Sequence, residues 1–331
     1  MERGHQISII NSEEIPSSSK VAAGLFNPVV FKRLVPSWRA NEFVPHLMKR
    51  YTHLEKVLNT KFLYSTRISK IIETDNELQM WNKRIDGNEL FDFVKKVDKQ
   101  VRVEGIEDEL MLGRVEKSGY VDLKKFLDVS NEFFQKKGLI SHLEINYRDI
   151  KINEHTIEYG QNSYDAVFFC EGYHVHQNPY FSFLHFKPVN GDVLTLNIPS
   201  YRNDQCLNKN FFLLPLHDGK YRLGATYNWS NLVFETNEEA KNALLSRLKE
   251  YIKGDIELVQ HEAGVRPSSN DRRPILGAHP QHKNLYIFNG LGAKGVMLAP
   301  YFAELLADHI TFGKELEKEV SVERYYSYNK A

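Results

Sequence analysis

The stretch from Gly264 to Val296 constrains this chain more than any other. It opens with Gly264-Val265-Arg266-Pro267 and passes Asp271, Pro274 and Gly277. It then runs Asn284-Leu285-Tyr286-Ile287-Phe288-Asn289-Gly290-Leu291-Gly292-Ala293-Lys294-Gly295-Val296. An arginine and an aspartate thus stand on turn-rich backbone, and a short apolar strand enters a glycine loop that leads into a helix. This order gathers bare amides, a fixed cation and a helix N-terminus, which suits an anionic or electron-rich ligand. A glycine loop on its own is more often an ordinary strand-to-helix turn. Arg266, Asp271 and Pro274 ahead of it tip the reading toward a site.

The 331 residues suffice for one large or two moderate domains. Lys+Arg and Asp+Glu are both 43, a balance that argues against a general nucleic-acid footprint while leaving room for a local basic groove. Cys170 and Cys206 supply neither a disulfide framework nor a zinc-ligand set, so no metal is expected and a reducing, cytoplasmic setting is the default. No apolar run reaches the length of a membrane span.

Gln6–Ile10 reads as a strand, and Val21-Ala22-Ala23-Gly24 offers only small side chains, which permit close backbone approach. Trp38–Leu58 has helical spacing, with Phe43, Leu47, Tyr51, Leu54 and Leu58 on one face. Lys61–Ile72 reads as a strand and Leu78–Arg84 as a short helix. Asp122–Gly138 reads as a helix that offers Leu123, Phe126, Leu127, Phe133 and Phe134 to the core. Leu143–Tyr147, Ile150–Ile152 and Thr156–Tyr159 read as short strands. Tyr164–Gly172 has the continuous apolar centre of a strand buried on both faces. Phe211–Leu216 and Tyr221–Thr226, joined at Asp218-Gly219, form a hairpin. Helices are expected over Glu238–Lys253 and Ala299–Ile310. His174 and His176 would share one face of a strand, as a metal site needs, but no third ligand stands nearby. The simplest assembly is an open α/β domain interrupted by a mainly antiparallel one.

Gly264-x-Arg266-Pro267-x3-Asn270-Asp271-x2-Pro274-x2-Gly277, followed by Asn289-Gly290-x-Gly292-x2-Gly295-x3-Ala299-Pro300, resembles the C-terminal signature of the D-amino-acid-oxidase superfamily of flavoenzymes, which includes glycine and sarcosine oxidases. The loop from Gly290 to Gly295, with Ala299-Pro300 and Glu304-Leu305-Leu306-Ala307, is most similar to the oxidoreductase half of the tRNA wobble-uridine modification enzyme. Ser18-Ser19-x-Val21-Ala22-Ala23-Gly24 resembles the segment beside the flavin. Tyr164–Gly172 resembles the strand that ends near the adenosine, and Leu223-Gly224-Ala225-Thr226 resembles a substrate-domain strand.

The resemblance implies a discontinuous, Rossmann-like FAD-binding domain over residues 1–60, 118–178 and 258–331, with a mainly antiparallel substrate domain over 61–117 and 179–257. It implies oxidation of the C–N bond of an amino acid or secondary amine, with FAD as cofactor. Arg266 takes the position that pairs with a substrate carboxylate, while Lys294 and Tyr227 are further candidates to meet substrate. The cofactor-facing set is Asn11, Ser18, Ser19, Ala23, Gly24, Gly172, Asp271, Gly290, Gly292, Ala293, Lys294, Gly295 and Val296. For Asp271, bracing its own loop is the competing role.

Members of the superfamily begin with a strand, G-x-G-x-x-G and a helix, and only then reach sequence like Gly4–Ile10; here Met1 falls at the end of that helix. Where an acid usually meets the ribose stands Asn11. A start codon assigned too late, a shortened clone, or a chain that has given up tight FAD binding would each account for this. The expectation is that this chain binds FAD weakly or not at all, and that a chain about thirty residues longer binds it. Two alternatives accompany the amine-oxidising reading: trimming of a tRNA wobble-uridine side chain, and a non-catalytic remnant that kept the architecture.

Overall fold

The computed structural model describes residues 2–87, 90 and 92–330. Met1, which the sequence puts at a helix end, lies outside them. The described α-helices are α1 (Ser18–Val21), α2 (Ala40–Leu58), α3 (Asp75–Asp86), α4 (Leu123–Lys136), α5 (Glu238–Lys249) and α6 (Gly295–Phe312). Three of them start where a side chain takes an orphan amide: Thr74 accepts from Glu77, Asp122 from Lys125 and Asn237 from Ala240.

The largest sheet has eight strands. In spatial order they are Glu257–Arg266, Val189–Asn197, Tyr221–Gly224, Phe212–Pro215, Cys206–Asn208, Ile68–Ile72, Leu110–Val115 and Asp98–Val101. Neighbours are antiparallel except Cys206–Asn208 against Ile68–Ile72. The hairpin expected across Asp218-Gly219 is formed, with Gly219 at φ 83°. The other parallel pairs lie in two smaller, separate sheets. Val167–Phe169 runs beside Leu285–Asn289, which also pairs with Ile275–Ala278, and Ile9–Ile10 runs beside Ile140–Ser141. Ile9–Ile10 and Val167–Phe169 are each the end strand of their sheet. The result is mixed α/β with a mostly antiparallel large sheet, as the sequence predicts.

α2 and α6 pack against each other through Phe43, Leu47 and Tyr51 on one side and Leu298, Phe302 and Leu305 on the other. Pro300 lies inside α6 and has no amide for the Val296 carbonyl four residues back. The Tyr51 hydroxyl donates to that carbonyl at 3.3 Å. Tyr51→Phe should therefore lower stability by about 1 kcal/mol, the net worth of one hydrogen bond, as read from the urea midpoint. No change would mean that water satisfies Val296 equally well.

The structure departs from the sequence reading in several places. Leu143–Tyr147 is not a strand; Asn146 accepts from Arg148 and turns the chain into a short 3-10 helix, Tyr147–Asp149. Gln6–Ile10 narrows to Ile9–Ile10, since only those residues have a ladder partner. Lys61–Ile72 divides into Leu63–Ser65 and Ile68–Ile72, which join different sheets. Tyr164–Gly172 divides: Tyr164 ends a separate strand, Asn162–Tyr164, and the strand beyond it is Val167–Phe169, whose Phe168 is 41% exposed, stacked on Tyr286, rather than buried on both faces. No residue of α4 is fully buried; Leu123, Phe126 and Val129 pack only part-way against the cluster that holds Phe43, Leu47 and Tyr51. α5 ends at Lys249, and α6 begins at Gly295, ahead of the expected Ala299. His174 and His176 lie in a 3-10 helix, Gly172–Gln177, and not in a strand.

Candidate functional site

Four segments distant in sequence meet at the C-terminal end of the strand Glu257–Arg266. The Ser18 hydroxyl in α1 donates to the Val265 carbonyl. The Gly292 amide donates to the Pro267 carbonyl at 3.2 Å. Asn289, at the end of its strand, donates from its side chain to the Gly172 carbonyl at 2.9 Å. His174 Nε2 meets the Pro16 carbonyl at 2.8 Å. Ser18, Gly172, Arg266 and the Gly290–Gly295 loop are thereby brought together, although the sequence spreads them over most of its length.

Arg266 occupies a built position. Val189 pairs with Arg266 and Gly191 with Gly264, so these four residues share one face of the sheet. A β-carbon placed on Gly191 would overlap both terminal nitrogens of Arg266 and the Thr226 carbonyl. Glycine thus makes the notch in which the guanidinium lies. Nη1 donates to the carbonyls of Asn190 at 3.3 Å and Thr226 at 3.4 Å. The Tyr227 ring covers the guanidinium, with Cζ 4.7 Å from the ring centroid. Burial lowers the Arg266 pKa below the ordinary arginine value, against the pull of Tyr227 and Asp192. Among the described residues no carboxylate forms an ion pair with it. Sequence reasoning missed Gly191; its only signal was a glycine inside a strand, which marks close approach of another group.

Lys294 lies at the uncapped N-terminus of α6, with Nζ 2.9 Å from Ser37 Oγ. Burial first, and then the charges of Arg273, Arg272 and Arg33, together push its pKa down to about 8. The folded chain therefore gives up this proton before the unfolded chain does. Stability should rise with pH from about 8 to 10.5, and the cost of the charge is fully present below that window. Without added FAD, Lys294→Met should be more stable at neutral pH by about 1–3 kcal/mol, and the advantage should vanish above pH 10.5. Thermal melts of both proteins across that range test this; an equal gap at both ends would refute it.

The remaining candidates have varied surroundings. Gly172, at φ 57°, faces open space; a β-carbon there meets only Pro267 Cγ, at 4.0 Å. Gly290 and Gly292 also have positive φ, and Gly295 opens α6, followed by Val296. Ala293 and Ser19 are exposed. Asn11 is exposed, and its amide extends the parallel ladder by donating to Ser141 at 3.0 Å. Gly24 lies against the backbone of Val121, and Ala23 packs beside the Phe31 cluster. The Asp271 carboxylate accepts from Ser269 Oγ at 3.0 Å, the Arg273 amide at 2.9 Å and Arg324 Nε at 2.9 Å. Burial opposes its ionisation, but these donors outweigh burial and hold its pKa low. That geometry braces the loop. His176 Nδ1 turns back to the Tyr173 carbonyl, and among the described residues no three His, Cys, Asp or Glu side chains could hold a metal ion.

The family model described as DAO, FAD dependent oxidoreductase, matches residues 1–309. A glycine oxidase of Bacillus licheniformis is 28% identical over 133 residues, 38% of this chain and 35% of that protein. The tRNA 5-methylaminomethyl-2-thiouridine biosynthesis bifunctional protein MnmC of Shewanella amazonensis is 23% identical over 239 residues, 58% of this chain and 36% of that protein. The chain therefore spans about a third of the length of these curated relatives. The crystal structure of glycine oxidase from Bacillus cereus has the same fold, with a TM-score of 0.76 at 20% identity, covering 95% of this chain and 90% of that one. No described helix is long and apolar enough to cross a membrane.

Proposed function

The chain belongs to the DAO family of FAD-dependent oxidoreductases, and from that membership we propose that it oxidises the C–N bond of an amino acid or secondary amine. The observation that carries this reading is Arg266: a guanidinium set in a glycine notch, held by two backbone carbonyls under the Tyr227 ring, with no carboxylate in ion-pair contact among the described residues and Asp192 acting on it only through its field. A bidentate carboxylate supplies the missing counter-charge.

The residues present fit the ring end of FAD. Gly172 leaves room, the α6 N-terminus carries no side-chain cap, and Lys294 adds a nearby cation. Gly292 to Val296, Lys294 and Ser18 would hold this end, and Asn11 would face the ribose. When bound, FAD supplies the acceptor for the electron pair that leaves the C–N bond. The chain's own work is positional. Arg266 fixes the carboxylate, Tyr227 shields the guanidinium from water, and the α6 N-terminus with Lys294 favours negative charge at the ring. A division into an FAD-binding domain (1–60, 118–178 and 258–331) and a substrate domain (61–117 and 179–257), in a cytoplasmic setting, accords with this.

FAD-loaded protein screened against amines and amino acids should release hydrogen peroxide, or bleach its flavin absorbance without oxygen, with at least one carboxylate-bearing amine. Neither signal across primary and N-substituted amino acids would refute the reading. A second reading, with a tRNA side chain as the amine, is favoured by the similarity to MnmC and by the cations Arg33, Arg272 and Arg273 around Lys294. It predicts salt-sensitive tRNA binding that is lost when these three arginines are replaced.

A further inference from the structure

Beside Arg266 the loop from Thr226 to Asn237 is pinned at four points. Asp192, buried in the strand Val189–Asn197, accepts from the Thr226 hydroxyl at 3.1 Å at one end of the loop and from the Asn237 amide at 2.9 Å at the other. His261 Nε2 holds the same carboxylate at 2.8 Å. Asn190 and Asn228 exchange both backbone hydrogen bonds, and the Asn190 side chain donates to the Val233 carbonyl. Asn228 in turn accepts from Ser230 and Asn231, closing a tight turn.

On this fastened backbone Tyr227 and Trp229 are left 58% and 66% exposed. Their rings lie 6.2 Å apart and within 23° of parallel. Tyr227 continues the stack onto the Arg266 guanidinium. Beside this loop lies a cavity of about 750 Å³, lined by Ala225, Thr226, Tyr227, Trp229, Asn237 and Arg247 among others; Arg266 stands outside its lining and meets it across the Tyr227 ring. Tyr227 covers Arg266, but leaving the Trp229 ring in water on a loop pinned this firmly brings no folding benefit. Rings already ordered, however, bind a flat partner at little entropic cost.

We propose that Tyr227 and Trp229 form a preformed stacking subsite for a planar aromatic or heteroaromatic ring carried by the substrate, and that Trp229 sets specificity for it. The inference rests on the reading of Arg266 as the carboxylate anchor. A carboxylate held there leaves the rest of the molecule to extend along the Tyr227–Trp229 stack.

Phenylacetate and acetate, titrated into the FAD-supplemented protein by calorimetry with ligand-detected NMR for the weaker ligand, test this. Phenylacetate should bind at least tenfold more tightly than acetate, a ratio within the range of one stacked ring. Trp229→Ala, at an exposed position, should cut that ratio below threefold, and Trp229→Phe, which keeps a ring face, should retain most of it. A preference that survives Trp229→Ala, is absent from the unaltered protein, or is lost as fully in Trp229→Phe as in Trp229→Ala would overturn the subsite. In each of those cases, weakening of both ligands by Arg266→Ala would leave the carboxylate anchor standing. Binding of both ligands that is indifferent to Arg266→Ala would overturn the anchor and the subsite together.

Discussion

Arg266→Ala should lower kcat/KM for a carboxylate-bearing amine by about two to four orders of magnitude, while an uncharged amine of similar size loses less than about tenfold. The asymmetry follows from the surroundings. The guanidinium lies in a notch at Gly191 under the ring of Tyr227, where water is largely excluded, and among the described residues its bonds run to the carbonyls of Asn190 and Thr226. Those carbonyls orient it without neutralising it. A substrate carboxylate arriving at the truncated site would be stripped of water with nothing to pair it, and an unpaired buried charge costs about 3–5 kcal/mol. An uncharged amine pays no such cost. Arg266→Lys should recover little, because a point charge cannot keep the carbonyl contact, stack under Tyr227 and present two parallel donors at once. Steady-state kinetics with matched substrates decide the matter: equal losses for both would make Arg266 a structural brace.

Much of this site was legible in the residues, and what was not has identifiable causes. The Gly290–Gly295 loop and the strand before it announce themselves because their signal is local: a run of apolar residues, glycines and a helix start. Arg266 stood out through its place in a longer pattern. Gly191 did not, because its meaning arises only when a strand some seventy residues away pairs with its own and Arg266 crosses above it. Asp192 and the pinned Thr226–Asn237 loop escaped for the same reason; hydrogen bonds from one carboxylate to both ends of a loop leave no sequence period. Leu143–Tyr147 shows the converse. Alternating Leu143, Ile145 and Tyr147 has a strand-like pattern, yet Asn146 supplies a competing turn, and among the described residues no strand pairs with this segment. α4 has a clear apolar face that no second layer fully covers, so amphipathicity predicted the helix correctly and its depth poorly.

Gly191→Ala should reproduce most of the Arg266→Ala loss without removing any charge. The added methyl would occupy the space of both terminal guanidinium nitrogens and of the Thr226 carbonyl, so the Arg266 side chain must swing away or the Thr226–Tyr227 backbone must lift. Either response breaks the geometry that presents two donors to a carboxylate, and a displacement of about 1 Å in a positioning group can cost about a hundredfold in rate. The expected result is a hundredfold or greater loss of kcat/KM for carboxylate substrates, with a stability cost of about 1–3 kcal/mol from overpacking. Gly264→Ala is the internal control. Gly264 lies directly opposite Gly191 on the same face, but its β-carbon would meet Val21 Cβ at 3.3 Å and Ser18 Cα at 3.4 Å, pressing on α1 instead of on Arg266. It should leave the preference for carboxylates over uncharged amines in place. The double variant Gly191→Ala/Arg266→Ala then gives the sharpest reading. If the glycine acts only by seating the arginine, the double variant loses no more than Arg266→Ala alone. Fully additive losses would show that Gly191 serves something other than Arg266, and the notch would lose its functional meaning.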